Sequence, residues 1–204
     1  MHGARHTSLG PAIKGSGKIT TETRSLSDFE RLSLSGSPDV NVTVGEAFKL
    51  TVATDDNLQK HLTTKVSGDT LEIHFDESNV NETSANITLE VPKFTSVIVT
   101  GSGDVVITGL KNSSFNAIVT GSGSVKASSG RVDNLEASVT GSGEINLSSL
   151  ESKSAKASIT GSGDIELNVT SSLDAHITGS GSIGYKGSPL VKEDVTGSGE
   201  VKKS

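Results

Sequence analysis

The tripeptide Gly-Ser-Gly recurs six times in the second half of the chain. Successive copies lie 20, 20, 20, 18 and 18 residues apart and start at Gly101, Gly121, Gly141, Gly161, Gly179 and Gly197. A fixed period near 20 residues is typical of a solenoid, in which a single repeat cannot bury its own apolar face. The repeat therefore predicts a stack of similar coils. Residues that recur in every copy are explained first by the building of that stack.

Apolar residues alternate with polar ones around each tripeptide, which indicates strands with one buried face. Two residues before it lie Val99, Val119, Val139, Ile159, Ile177 and Val195. Two residues after it lie Val105, Val125, Ile145, Ile165, Ile183 and Val201. The looser second half of the repeat turns inward again at Phe115, Leu135, Ala155, Leu173 and Val191. This pattern predicts an all-β parallel β-helix with 18 to 20 residues per coil, right-handed because crossovers between parallel strands are right-handed.

Gly-Ser-Gly is the expected bend of each coil. Glycine accepts positive φ and lets one backbone approach another where a Cβ would collide. Unbroken alternation places both glycines of a copy on the inward side, and the serine between them outward, where its hydroxyl is expected to reach the next coil. Replacing Gly141 by valine should then cost a few kcal/mol through strain and overpacking. With strands about 4.8 Å apart, six coils would rise roughly 30 Å.

The sequence divides into three predicted parts. Residues 1–25 form a polar tail, in which the stretch from Ile13 adds a strand, and residues 96–204 form the β-helix. Residues 26–95 form an irregular β unit with a degenerate first repeat at residues 32–40. That unit also has one short helix over residues 55–62, begun by the acids Asp55 and Asp56 as N-caps, and a polar loop over residues 76–85.

Composition excludes several classes of function. The net charge is −6 with acids and bases interspersed, so no basic patch indicates a nucleic-acid partner. The chain has no cysteine, which excludes thiol chemistry, thiolate zinc sites and disulfides. No apolar run approaches the ~18 residues that a membrane-spanning helix needs. Residues 1–14 contain no apolar core of a signal peptide, so a leader is expected to be absent from this chain.

The position after each tripeptide is the main candidate for chemistry. It holds Asp104, Ser124, Glu144, Asp164, Ser182 and Glu200. A carboxylate column could bind Ca²⁺, but serine interrupts this one twice, so solvated charges are the favoured interpretation. A polysaccharide lyase or hydrolase would need clustered acids and bases, whereas these acids are spread one per coil. The five histidines (His2, His6, His61, His74 and His176) are scattered. No catalytic, cofactor-binding or metal-binding residue is therefore predicted, and no cofactor.

The repeated Val-Thr-Gly-Ser-Gly-Asp-Val resembles a bacterial family described as putative autotransporter adhesin, head GIN domain. So do the lead-in Ile13-Lys14-Gly15-Ser16-Gly17, the segment over residues 29–44 and the turn Asp55-Asp56-Asn57-Leu58. The resemblance covers roughly residues 13–200. It implies a right-handed β-helix shaped like pectate-lyase-like proteins, without their catalytic residues, and an exported protein of the periplasm, outer membrane or cell surface. Pro38 stands where the family pattern has its second glycine.

The expected function is a non-enzymatic envelope or surface binding module, an adhesin, whose partner is a glycan or a surface protein. The ridged surface of Ser, Thr, Asn and Asp offers many hydrogen-bond groups to such a partner. Two alternatives stay open: a carbohydrate-active β-helix enzyme, and an envelope scaffold or stress component with protein partners. The coil end near Val201 has no evident cap, and its open edge would be compatible with a homo-oligomer.

Overall fold

The computed structural model describes residues 12–76, 80 and 85–204. It is 73% strand and 2% helix, and it forms a β-solenoid of about five turns, which confirms the predicted fold class. The strands of the first half are β1 Ile19–Arg24, β2 Arg31–Gly36, β3 Asp39–Val44, β4 Lys49–Asp55, β5 Leu62–Ser67, β6 Thr70–Phe75, β7 Asn86–Val91, β8 Ser96–Gly101 and β9 Asp104–Thr108. Those of the second half are β10 Leu110–Gly121, β11 Ser124–Ala127, β12 Gly130–Gly141, β13 Glu144–Gly161, β14 Asp164–Gly179, β15 Ser182–Lys186, β16 Leu190–Gly197 and β17 Glu200–Lys203.

The repeats stack in parallel and in register. Val119 of β10 pairs with Val99 on one side and Val139 on the other, and the ladder continues to Ile159 and Ile177. These side chains are buried, as are the residues two positions before them, which are Val97 and otherwise alanines, and the predicted second inward contact at Phe115. The predicted columns are therefore confirmed as the continuous core of the inner coils. In the last coil the prediction is wrong for Val191 and Val195, which are each 37% exposed because no further coil covers them.

The first glycine of each tripeptide makes the bend and has positive φ, for example 111° at Gly141. A Cβ at Gly141 would lie 2.7 Å from the carbonyl oxygen of Gly121 in the preceding coil. The hydrogen bond between the serine and the neighbouring coil differs from the expected one. The backbone N–H of Ser142, not its hydroxyl, donates to that Gly121 oxygen at 3.0 Å. The bend is thus held by main-chain hydrogen bonds, which leaves the serine side chain exposed.

The degenerate repeat is confirmed as a coil of the solenoid. Its position in the stack of coils differs from its position in the sequence. Leu32 of β2 pairs with Val97 of β8 on one side and with Leu71 of β6 on the other. β3 likewise pairs with β9 and β7. The coil made of β2 and β3 is therefore inserted between two coils that follow it in sequence. Pro38 does not disturb the bend, because Ser102 and Gly103 both donate to the oxygen of Gly36 at 3.0 Å.

Antiparallel strands complete the first half. β4 pairs with β7, β1 pairs with β4, and β5 pairs with β6. The expected strand near Ile13 begins instead at Ile19, while Ile13 makes one isolated bridge to Val80. The predicted helix over residues 55–62 is reduced to a single 3-10 turn, Gln59–His61.

The expected N-cap at Asp55 is wrong, because that residue belongs to β4 and accepts a hydrogen bond from the Gly17 N–H at 2.6 Å. Part of the expected polar loop (77–79 and 81–84) and part of the tail (1–11) lie outside the described residues. The division into three parts stays a prediction.

The last coil carries charges where the inner columns hold apolar residues elsewhere. Glu193 of β16 continues the alanine column after Ala175, and Lys203 of β17 continues the column of Tyr185. Inward-pointing charges at a sheet edge hinder pairing with another chain. This edge would therefore have to bury Glu193 before a second copy could stack on it in register.

Candidate ligand groove

A groove of about 1240 Å³ runs along the solenoid, across strands that pair in one parallel ladder. Its wall crosses β2, β8, β10, β12, β13, β14 and β16, from Arg31 at one end to Lys192 at the other. Six steps of about 4.8 Å between these seven strands give a length of about 29 Å. The groove is therefore long enough to hold several units of a linear polymer.

The floor of the groove is the second inward column of the repeat. Phe115 and Leu135 contribute to it and are only 2% and 3% exposed. The ring of Phe115 packs on that of Phe94, with centroids 5.9 Å apart. In these coils a ligand would therefore meet mainly the polar residues beside the floor, whereas in the last coil the lining residues Leu190 and Val191 are 83% and 37% exposed.

Two polar rows flank the floor because side chains alternate along each strand. The residues just before the floor are small or polar in four coils: Ser114, Asn134, Ser154 and Ser172. Ser172 donates its hydroxyl to Ser154 at 2.9 Å across neighbouring coils. The residues just after the floor form a second row, Asn116, Glu136, Lys156, Asp174 and Lys192. This charged row is in register from one coil to the next.

Two oxygen atoms of the charged row lack ordinary hydrogen bonds within the described part of the chain. Asn116 Oδ1 is buried and receives none. Asp174 Oδ1 also has no well-directed donor, although it lies 3.1 Å from His176 Nε2, close enough for an ion pair when the imidazole is protonated. A buried acceptor without a donor is costly. Both atoms therefore have unmet hydrogen-bonding capacity beside the groove.

A smaller recess beside the groove is lined by Lys111, Arg131 and Asp133, among others. Lys153 donates to Asp133 at 2.6 Å from the next coil. This hydrogen bond, the charge of Lys153 and the more distant charge of Arg131 hold the pKa of Asp133 below its usual value. The carboxylate is therefore ionised at neutral pH, and the recess presents charges of both signs.

The substitution Lys153→Gln tests this electrostatic arrangement. We expect the pKa of Asp133 to rise towards its ordinary value, because the charge-assisted hydrogen bond to the carboxylate is lost. A lowered folded-state pKa adds stability above the unfolded pKa, and that stability is lost as the pH falls through the folded value. NMR titration of the Asp133 carboxyl carbon would measure the shift. Lys126→Gln on another face is the control, and an unchanged Asp133 titration in Lys153→Gln would contradict the assignment.

The acids after each tripeptide lie outside the groove. Ser124 donates to Asp104 at 2.7 Å, and Ser182 donates to Asp164 at 2.5 Å. The two serines that interrupt the column thus hydrogen-bond its carboxylates. Over the described ranges, no three His, Cys, Asp or Glu side chains are grouped so that they could hold a metal ion. The column has the interactions of a polar surface ladder.

The two carboxylates of the groove do not form a facing pair. Glu136 and Asp174 lie in the same row, two coils apart, with Lys156 between them. Glycoside hydrolysis commonly uses two carboxylates on opposite sides of the bond to be broken.

Sequence reasoning identified the floor column but missed the groove. The sequence feature that could have indicated the groove is the charge of the residue after each floor position. From Glu136 onward this charge changes sign from one repeat to the next.

Comparison with protein families agrees with this architecture. The profile of the family described as putative auto-transporter adhesin, head GIN domain, matches residues 28–189. The chain belongs to this family. The matched region includes the inserted coil, five of the six Gly-Ser-Gly bends and most of the groove. The resemblance inferred from the tripeptides and the segment over residues 29–44 is confirmed.

Solved structures from this fold are similar over nearly the whole chain. A putative adhesin from Bacteroides fragilis is 25% identical with a TM-score of 0.79, and the match covers 95% of this chain and 100% of that one. A putative adhesin from Parabacteroides merdae, 24% identical, has a TM-score of 0.68 over 95% and 99% of the chains. A putative lipid binding protein from Parabacteroides distasonis is 26% identical, with a TM-score of 0.64 over 95% and 99%. No curated protein matches the chain.

Proposed function

We propose that this adhesin-family domain is a non-enzymatic binding module of the bacterial envelope or surface, and that it holds a linear ligand in the groove. The observation that carries the proposal is the continuity of the groove across seven strands, with hydrogen-bonding side chains on both sides of its floor. Family membership supports an adhesin-like surface protein. A rigid sheet presents such rows without the ordering cost that a flexible loop would incur.

The groove favours binding of a hydrated ligand over carbohydrate hydrolysis and over binding of an acyl chain. A hydrolase would be supported by acids facing each other, whereas Glu136 and Asp174 share one row. An acyl chain would need an accessible apolar floor along the whole groove, whereas Phe115 and Leu135 are almost fully covered and the exposed apolar lining residues, Leu190 and Val191, stand in the last coil. The polar rows suit a hydrated partner such as a glycan or a surface protein.

Export to the periplasm, outer membrane or cell surface is part of the same proposal and follows from the family. The only helix in the described regions is the 3-10 turn, so none there is of a length and hydropathy to cross a membrane. A homo-oligomer remains a proposal as well. The charges Glu193 and Lys203 make end-to-end stacking of the coils the less favoured way to form one.

The proposal is tested with the labelled domain on a glycan array and on intact bacterial cells, with and without Ca²⁺. The groove is blocked by Asn134→Trp, which places an indole in the row before the floor. Thr140→Trp is the matched control, because Thr140 is exposed on the same strand β12 but does not line the groove. We expect saturable binding of the parent protein, binding reduced about tenfold or more by Asn134→Trp, and little change with Thr140→Trp.

Equal binding by the parent protein and both tryptophan variants would place the ligand elsewhere and contradict the groove proposal. Absence of saturable binding to any glycan or cell would contradict the binding module itself and favour an envelope scaffold. Binding that depends on Ca²⁺ would show that the carboxylate column, rather than the groove alone, takes part.

A further inference from the structure

The groove differs in charge from the rest of the molecule. The whole chain has a net charge of −6, but the groove is lined by Arg31, Lys93, Lys111, Lys156 and Lys192 against only two acids. Arg31 and Lys93 are paired with Asp69 and Glu30 outside the groove wall. Lys111, Lys156 and Lys192 form no ion pair with any described residue. The groove therefore offers unpaired positive charge to a ligand.

The charges of the row after the floor alternate in sign. Glu136 pairs in register with Lys156, Lys156 with Asp174, and Asp174 with Lys192. Neighbouring coils are about 4.8 Å apart, so charges of the same sign recur about every 9.6 Å along the groove. This spacing sets the repeat length of any polymer that could satisfy all four charges.

The spacing separates two classes of linear ligand. In an extended peptide, side chains on one face recur every ~6.6 Å, so a peptide lying along the groove falls out of step within two residues. Two linked pyranose rings span a length close to that of two coils. The charge row therefore fits a chain of alternating sugars better than it fits a β-strand.

We propose, building on the binding function above, that the groove recognises a linear polysaccharide with one acidic group on every second sugar. Lys156 and Lys192 pair with successive anionic groups. Glu136 and Asp174 accept hydrogen bonds from hydroxyls of the neutral sugars between them. The row of Ser154 and Ser172 hydrogen-bonds the opposite edge of the chain. Because no exposed aromatic ring is available for stacking on the described groove wall, charge and hydrogen bonds dominate, and binding weakens as salt is added.

The test uses hexasaccharides that differ in the spacing of their acids. Hyaluronan and unsulfated chondroitin carry a carboxylate on every second sugar, hexagalacturonate carries one on every sugar, and cellohexaose carries none. A (Glu-Gly) peptide of similar length represents the extended peptide. Titration calorimetry is done with the parent domain, with Lys156→Gln/Lys192→Gln, and with Lys126→Gln as the matched control outside the groove.

We expect at least one of the two alternating glycans to bind the parent domain about tenfold more tightly than the other probes. The double variant should lose about tenfold of that affinity, and Lys126→Gln should lose almost none. Preference for cellohexaose, hexagalacturonate or the peptide would overturn the inference. The inference would also be overturned if an alternating glycan bound the double variant as tightly as it binds the parent domain. If cell binding is still abolished by Asn134→Trp in that case, the inference fails while the binding module stands.

Discussion

Replacing Gly141 by valine is expected to lower the free energy of unfolding by about 4 kcal/mol. Two costs add. The residue has φ of 111°, which a β-branched side chain adopts only under strain. Its new Cβ would also lie 2.7 Å from the Gly121 carbonyl oxygen, part of a backbone ladder that cannot move alone. Urea or thermal unfolding followed by circular dichroism measures the effect, with a melting temperature roughly 10 °C lower.

Gly68→Val is the control for this substitution. Gly68 also has positive φ, 64°, but a Cβ there would meet no atom within 4 Å. The difference between the two variants contains the cost of close approach between coils together with the greater backbone strain at φ 111°, since 64° lies in the left-handed region that other residues can adopt. If both variants lose the same stability, the bend requires glycine only for its conformation, and the proposed contact between coils is wrong.

Phe115→Ala is expected to cost about 4 kcal/mol and to deform the floor of the groove. The ring is 2% exposed and packs on Phe94, so its removal leaves a cavity beneath the polar rows. We expect a lower melting temperature and, at temperatures where the variant is still folded, weaker ligand binding. The lower melting temperature follows from the cavity. The weaker binding follows because the neighbouring residues Ser114 and Asn116 lose the packing that holds them in place.

Phe48→Ala gives the comparison for this prediction. Phe48 is 37% exposed, contacts Phe29 at a centroid distance of 5.2 Å and does not line the groove. Its truncation should cost about 1 kcal/mol and leave binding unchanged. A Phe115→Ala protein as stable as Phe48→Ala would show that the floor is not packed as described.

The repeat made most of the fold predictable. Because each coil pairs in register with the next, a residue such as Val139 has the same surroundings as Val119, and one alignment places the entire column. The inserted coil of β2 and β3 could be recognised by its likeness to the repeat, but not its position. Its place between β6 and β8 depends on pairing between strands distant in sequence, which carries no local signal.

The helix and the groove show where sequence reasoning stops. Asp55 resembles an N-cap, yet its carboxylate receives the N–H of Gly17, a contact 38 residues away that outweighs local propensity. The groove is formed only when the segments around Ser114, Asn134, Ser154 and Ser172 stack side by side. The alternation of Glu136, Lys156, Asp174 and Lys192 was visible in the sequence. Only the stacked coils reveal that these charges lie beside one continuous depression.

The most direct test of the groove as the binding site is lysine labelling on intact cells. The domain is treated with an amine-reactive reagent, free and cell-bound, and modification is quantified by mass spectrometry. Lys156 and Lys192 line the groove, whereas Lys126 is exposed outside it. We expect binding to slow the labelling of Lys156 and Lys192 while Lys126 reacts as before. Protection of Lys126 with unchanged labelling of the groove lysines would contradict the account.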